Sequence, residues 1–320
     1  MALAIHFHDR LQQPHAASLR EETLRGFAAT PKRVSPKFFY DRRGSELFEQ
    51  ICQQPEYYLT RTEERILADA AGDIREIAGP RSDLIELGSG ASRKVRLLLE
   101  ALRPASYLGI DISEDFLRSS TQRLAADYPW LEVHAACTDF SHELALPEDF
   151  ASEHPLVFFP GSSIGNFTPE EAAALLRHLH EVLPVGGGLL IGVDLVKPRE
   201  LLEAAYNDRA QVTAAFNLNL LQRIGNELDS DIDPSRFAHH AFFNEAESRI
   251  EMHLVSRQAQ DVTVEGRCFH FDAGESLHTE NSYKYTLHSF AALADGAGFD
   301  CRAQWTDPRE LFSVHYLQRR

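Results

Sequence analysis

Residues 83–99 read DLIELGSGASRKVRLLL, and this stretch decides the fold. DLIEL has the character of a short buried strand, and SRKVRLLLEAL has the apolar spacing of a helix. Between them stand Gly88 and Gly90. Without a Cβ, a glycine there lets the chain turn sharply and lets a ligand lie against the backbone. Strand, glycine turn and helix make one unit of an open α/β sheet, whose ligands gather beyond the carboxyl ends of the strands.

The alternation continues outward from this unit. SYLGIDI (106–112) is the next strand, and Ser113 is placed to cap a helix carrying Phe116, Leu117 and Leu124. LEVHAAC (131–137) and PLVFFP (155–160) follow as strands. Thr168-Pro169-Glu170-Glu171 is a helix start, with a threonine cap, proline in the first turn and glutamate three residues past the cap. Gly186–Gly188 ends that helix, and LLIGVDLV (189–196) is a fifth strand. Five strands separated by helices imply right-handed crossovers and a doubly wound, mostly parallel sheet.

After Lys197 the texture changes. Two helical segments, RELLEAAYND and VTAAFNLNLLQRIGNEL, precede the alternating, turn-punctuated run RIEMHLVSRQAQDVTVEGRCFHF, which reads as antiparallel strands. TLHSFAALADGAGF is a further helix, and DCRAQWTD with FSVHYLQ forms a closing antiparallel hairpin on the first sheet. The expected division is therefore 61–196 with 286–320 in one domain, and 1–60 with 197–285 in a second, α+β domain.

The chain has 320 residues, 43% hydrophobic and 25% charged, as ordinary globular proteins do. Its 48 acidic and 32 basic side chains give a formal charge of −16, which repels a phosphate backbone and argues against nucleic acid as a partner. No window approaches the roughly 18 apolar residues of a membrane span. The opening MALAIHFHDRLQQPHAASLREE lacks the apolar run of an export signal. Cys52, Cys137, Cys268 and Cys301 are scattered without CxxC spacing, so reduced thiols and a cytoplasmic location are expected. Fifteen histidines invite a metal reading, but HFH (6–8) and HH (239–240) lack the i, i+4 ligand spacing, and no metal is expected.

The glycine turn narrows the ligand. Asp111 closes the second strand, 23 residues after Gly88, where a carboxylate can accept two ribose hydroxyls. Dinucleotide binding needs a third glycine for close helix–strand packing, and Arg93 occupies that position. Glu86 puts negative charge where a pyrophosphate would be unwelcome. S-adenosylmethionine has no phosphate and carries a cationic sulfonium, so an acidic rim suits it. After the third strand, Asp139 can accept from an adenine amino group while Phe140 stacks on the ring. Methyl transfer is favoured over hydride transfer with a nicotinamide cofactor, and a non-catalytic sensor of S-adenosylmethionine or histidine is a third reading.

FFYDRRGSELFEQI, PEYYLTRTE, ELGSGASRK, FFPGSSIGNFTPEE, VTAAFN, RIEMHL and TENSYKY together resemble the histidine-specific Nα-methyltransferases of ergothioneine biosynthesis, from about Lys37 to the end of the chain. The resemblance implies a class I, Rossmann-like methyltransferase domain with a second domain, the substrate lying between them. It implies three methyl transfers from S-adenosylmethionine to the α-amine of L-histidine, giving hercynine. A monomer is expected.

Carried over position by position, the cofactor contacts fall on Gly88, Lys94, Asp111, Asp139 and Phe140. Substrate contacts fall on Tyr57, Asn166, Tyr206, Met252, Glu280 and Ser282. Asn166 and Tyr206 are expected at the carboxylate, and Glu280 and Ser282 at the imidazole. Tyr40 matches a catalytic tyrosine near the reacting amine, and Phe48 is a further aromatic candidate beside it. KFFY (37–40) departs from the family's usual Lys-Trp-Phe-Tyr, and Asn281 varies between Glu280 and Ser282. Another imidazole or aromatic amino acid is the alternative substrate.

Overall fold

The computed structural model describes residues 5–9, 18–79, 82–140, 146–147, 150 and 154–320; part of the N-terminal stretch considered above as an export signal lies outside these. Along the chain the strands are β1 (Ile5–Asp9), β2 (Lys32–Arg33), β3 (Asp83–Leu87), β4 (Ser106–Asp111), β5 (Glu132–Cys137), β6 (Pro155–Phe159) and β7 (Gly188–Asp194). They continue as β8 (Phe237–Asn244), β9 (Arg249–Ser256), β10 (Gln260–Val264), β11 (Arg267–Phe271), β12 (Ser276–Tyr283), β13 (Phe299–Thr306) and β14 (Phe312–Arg319). The chain divides into two compact units.

The first unit takes in β1, Leu59–Val196 and Tyr283–Arg320. Its eight-stranded sheet has the order β1-β5-β4-β3-β6-β7-β14-β13. Neighbours from β1 to β7 run parallel, and β14 and β13 close the sheet as an antiparallel hairpin. This is the doubly wound, mostly parallel sheet that the alternation predicts, with the closing hairpin, and it is the class I, Rossmann-like arrangement that the resemblance implies. Parallel strands covered on both faces must be apolar on both: Leu84, Ile85, Leu108, Ile110, Val157, Phe159, Leu189, Ile191 and Val193 are all fully buried. Each such side chain contributes about 1.5–3 kcal/mol. The helix Pro169–Val182 covers one face with Leu175, Leu176 and Leu179. It starts as its sequence dictates, with the Thr168 hydroxyl accepting from Glu171 N–H at 3.3 Å and the Glu171 carboxylate from Thr168 N–H at 2.8 Å.

One boundary differs from the expected division. β1 pairs along its whole length with β5, in the first unit and not the second. An open edge at β5 would leave its peptide groups unpaired, and a short alternating strand satisfies them. At the other junction, Tyr283 to Tyr285 also belong to the first unit, where Tyr285 N–H donates to Asp194 O at 3.1 Å.

The second unit comprises Ala17–Tyr58 and Lys197–Ser282. A four-stranded sheet of order β2-β12-β9-β8 and a β10-β11 hairpin form its β layer. The helix Val212–Glu227 buries Phe216, Leu220, Leu221 and Ile224. On β9 the alternation read from sequence buries Ile250, Met252 and Leu254. Among the described residues no helix is long and apolar enough to cross a membrane.

Candidate functional site

The glycine turn of the first unit is folded over the end of β4. Gly88 and Gly90 have φ of 68° and 48°, left-handed values that favour glycine. The N–H groups of Gly88 and Ser89 both reach Ile110 O, at 2.8 and 3.1 Å. Gly90 N–H donates to Asp111 Oδ2 and Ser113 N–H to Asp111 Oδ1, both at 2.9 Å. Burial raises the Asp111 pKa, and these backbone donors work against the rise. Each carboxylate oxygen keeps a further lone pair. Ser113, expected to cap the next helix with its hydroxyl, makes no such bond.

Thr138 N–H donates to Asp111 O at 3.1 Å, which carries the construction across to the end of β5. There Asp139 is nearly buried, and the half-buried Phe140 ring stands edge-on to Phe159 at 5.6 Å. Gly88, Asp111, Asp139 and Phe140 thus come together from the tips of three adjacent strands. A Cβ on Gly88 would meet nothing within 4 Å, so the turn opens onto free space. The buried Thr138 hydroxyl has no hydrogen-bond partner among the described residues. An open backbone cradle beside a carboxylate and a half-exposed ring fits the adenosine of S-adenosylmethionine.

Lys94 is placed by a residue that the sequence reading missed. Its ammonium lies 2.5 Å from Glu63 Oε2, on the helix Tyr58–Asp69, and the Glu63 side chain is fully buried. Both Glu63 oxygens also accept from Gly161 N–H, at 3.0 and 2.9 Å. Room for this carboxylate exists because β7 carries Gly192: a Cβ there would stand 2.0 Å from Glu63 Oε1. Nothing in the local pattern of RTEER marks Glu63 as buried.

Glu86 requires a correction. It was expected to put negative charge on the rim, but it is buried within β3 and accepts from the Tyr107 hydroxyl at 2.7 Å. Burial pushes its pKa up to about 8, so it is neutral at pH 7. It therefore repels no pyrophosphate, and the case against a dinucleotide falls to Arg93, exposed at the third glycine position. Asn166 ends a short 3-10 turn, Ser163–Asn166, just before the capped helix, and is half-buried.

The second unit gathers most of the expected substrate residues. The Tyr206 hydroxyl donates to Ser282 Oγ at 2.8 Å, with both residues buried. Tyr57 packs edge-on against Tyr206 at 6.3 Å, and burial raises its pKa well above the usual tyrosine value, with Tyr206, Cys52, Tyr40 and Glu280 near enough to add to the rise. Tyr40 stands edge-on to Phe48 (5.8 Å) and Phe216 (5.7 Å), and Phe48 reaches Tyr57 at 6.3 Å. Five aromatic rings thus form one wall. Phe216, from the VTAAFN motif, joins this wall although the sequence reading did not single it out. Met252 is buried on β9, and its carbonyl accepts from the Thr279 hydroxyl at 3.0 Å. Glu280 is half-buried, with its carbonyl 3.0 Å from His278 Nε2. Tyr206 and Ser282, expected at opposite ends of the substrate, are hydrogen-bonded to each other.

Comparison with known proteins shows the family. Residues 19–319 match the family described as "Histidine-specific methyltransferase, SAM-dependent". The histidine N-alpha-methyltransferase of Mycolicibacterium smegmatis is 42% identical over 310 residues, covering 95% of this chain and 96% of the relative. Its counterpart from Mycobacterium tuberculosis is 40% identical, covering 93% and 94%. Ergothioneine biosynthesis protein 1 of Neurospora crassa is 29% identical over 90% of this chain and 33% of its own length. The chain belongs to the S-adenosylmethionine-dependent, histidine-specific methyltransferase family.

Proposed function

We propose that the chain transfers methyl groups from S-adenosylmethionine to the α-amine of L-histidine, three in turn, giving hercynine for ergothioneine biosynthesis. Family membership supports the reaction class. The observation that carries the choice of substrate is the Tyr206–Ser282 hydrogen bond, on the same unit as Glu280.

Held in place by Tyr206, the Ser282 hydroxyl is the group that would give a proton to an unprotonated ring nitrogen. Glu280 accepts from the N–H of the other nitrogen, and a charged acceptor makes the stronger kind of bond. The two together select one neutral tautomer of an imidazole. A side chain without ring nitrogens leaves both groups unpaired, which a polar pocket penalises heavily. Asn166 takes the carboxylate on the family likeness alone.

Bound S-adenosylmethionine supplies an electrophilic methyl group on a cationic sulfur. Gly88, Asp111, Asp139, Phe140 and Lys94 would hold it. Transfer needs an unprotonated nitrogen about 3 Å from the methyl carbon and in line with the departing sulfur. Tyr40 orients the amine, directly or through a water that takes its proton. The rings of Tyr40, Phe48 and Tyr57 offer faces to the cation that grows as methyl groups accumulate.

The test is to incubate the protein with S-adenosylmethionine and each amino acid, and to follow product masses. Histidine alone should gain one, two and then three methyl groups. Comparable gain on phenylalanine would remove Glu280 and Ser282 from substrate selection. Cofactor binding without product would favour a sensor instead.

A further inference from the structure

From sequence, His6, His8 and His134 have no ligand spacing, since two lie in HFH and the third 126 residues beyond His8. Strand pairing brings them together. In the parallel β1–β5 register His6 lies opposite His134, and His8, two residues on, projects from the same face. The three imidazoles stack along the sheet edge, His6 on His134 at 4.6 Å and His8 on His134 at 5.5 Å. Glu132, two residues before His134 on β5, reaches two of these rings, those of His6 and His134. Its Oε1 lies 3.5 Å from His6 Nε2 and 3.4 Å from His134 Nε2.

We propose that His6, Glu132 and His134 form a binding site for a zinc-class divalent metal ion, pinning β1 to the sheet. Bonds of about 2.1 Å from nitrogen or carboxylate to tetrahedral zinc place neighbouring ligand atoms about 3.4 Å apart. The two separations around Glu132 Oε1 have that length. Two imidazoles and one carboxylate suit a borderline-soft ion, with water completing the tetrahedron.

His8 supplies the outer shell. Its Nε2 lies 3.3 Å from His134 Nδ1, the ring nitrogen turned away from Glu132. A proton given there by His134 Nδ1 to His8 would make Nε2 the basic nitrogen of the His134 ring. The ion would sit far from the chemistry. His134 precedes Asp139 by five residues, about 16 Å along a strand.

The second such cluster, Glu251, His253 and His278, is a poorer candidate. Arg249 already bonds Glu251 Oε1 at 2.7 Å and Asn244 bonds the same oxygen at 2.9 Å, so a cation is in place.

Calorimetric titration of the metal-stripped full chain with zinc chloride tests the proposal. A site of micromolar affinity is expected. It should disappear in His6→Ala and in Glu132→Gln, both exposed positions where folding is not at stake. It should weaken about tenfold or more in His8→Ala, and persist in His253→Ala. Hydrogen exchange of the β1 amides should slow when zinc is added. Absence of saturable binding, binding indifferent to His6→Ala, or binding lost in His253→Ala would overturn the proposal.

Discussion

The Lys94 ammonium lies 2.5 Å from a Glu63 carboxylate that is fully buried, and the same carboxylate holds Gly161 N–H. One acidic group therefore fixes both the lysine after the glycine turn and the turn after β6. Glu63→Gln should weaken S-adenosylmethionine binding and lower stability by about 3 kcal/mol, the lower end for a broken buried pair, because Lys94 can turn toward water. Gly192→Ala should act in the same direction, since its Cβ would displace the carboxylate. Cofactor titration and thermal unfolding of both variants check this.

Two buried groups give stability a pH profile that can be worked out. The Glu86 pKa rises from 4.5 to about 8, so its protonated form is favoured by folding and its contribution is lost as pH climbs from 4.5 to 8. Burial lowers the His315 pKa from 6.5 to about 4, so its contribution is present above 6.5 and lost as pH falls toward 4. Each slope is about 1.4 kcal/mol per pH unit. They oppose each other between pH 4.5 and 6.5, and above 6.5 Glu86 acts alone. Urea unfolding should show stability falling between pH 6.5 and 8, and Glu86→Gln should flatten that limb.

The Tyr206–Ser282 bond makes the two hydroxyls one device. Tyr206→Phe and Ser282→Ala should each raise the KM for histidine, and the double variant should cost markedly less than the sum. Steady-state kinetics on the four proteins of the cycle measure the coupling. Strict additivity would mean that the hydroxyls serve separate ends of the substrate.

Tyr40 is set apart by its expected effect on turnover. Tyr40→Phe keeps the ring against Phe48 and Phe216 and removes only the hydroxyl. The kcat should fall while cofactor affinity stays within about twofold, on the order of 0.4 kcal/mol. An unchanged rate would leave the tyrosine as wall and nothing more.

What sequence could reveal followed its periodicities. Strands buried on both faces, such as PLVFF, and the Thr168 capping box carry their own local instructions, and the structure follows them. Glu63, Glu86 and β1 were illegible for a common reason. A carboxyl in RTEER or LIEL looks the same whether water or a glycine-lined recess receives it, and IHFHD becomes a strand only because β5 has an edge to fill. The histidines of β1 and β5 likewise meet through register, which no spacing along the chain records. At the candidate site the motifs named residues that the structure largely gathers, without their mutual bonds. The Tyr206–Ser282 contact joins positions 76 apart.

The recess that Gly192 leaves for Glu63 also constrains inheritance. A lineage that acquired any side chain at 192 would have to surrender the acid at 63, and with it the ion pair to Lys94. Positions 63 and 192 should therefore covary among relatives, one ancestral pair exchanged as a block. A homologue with alanine at the second position and glutamate at the first would have had to reroute its backbone.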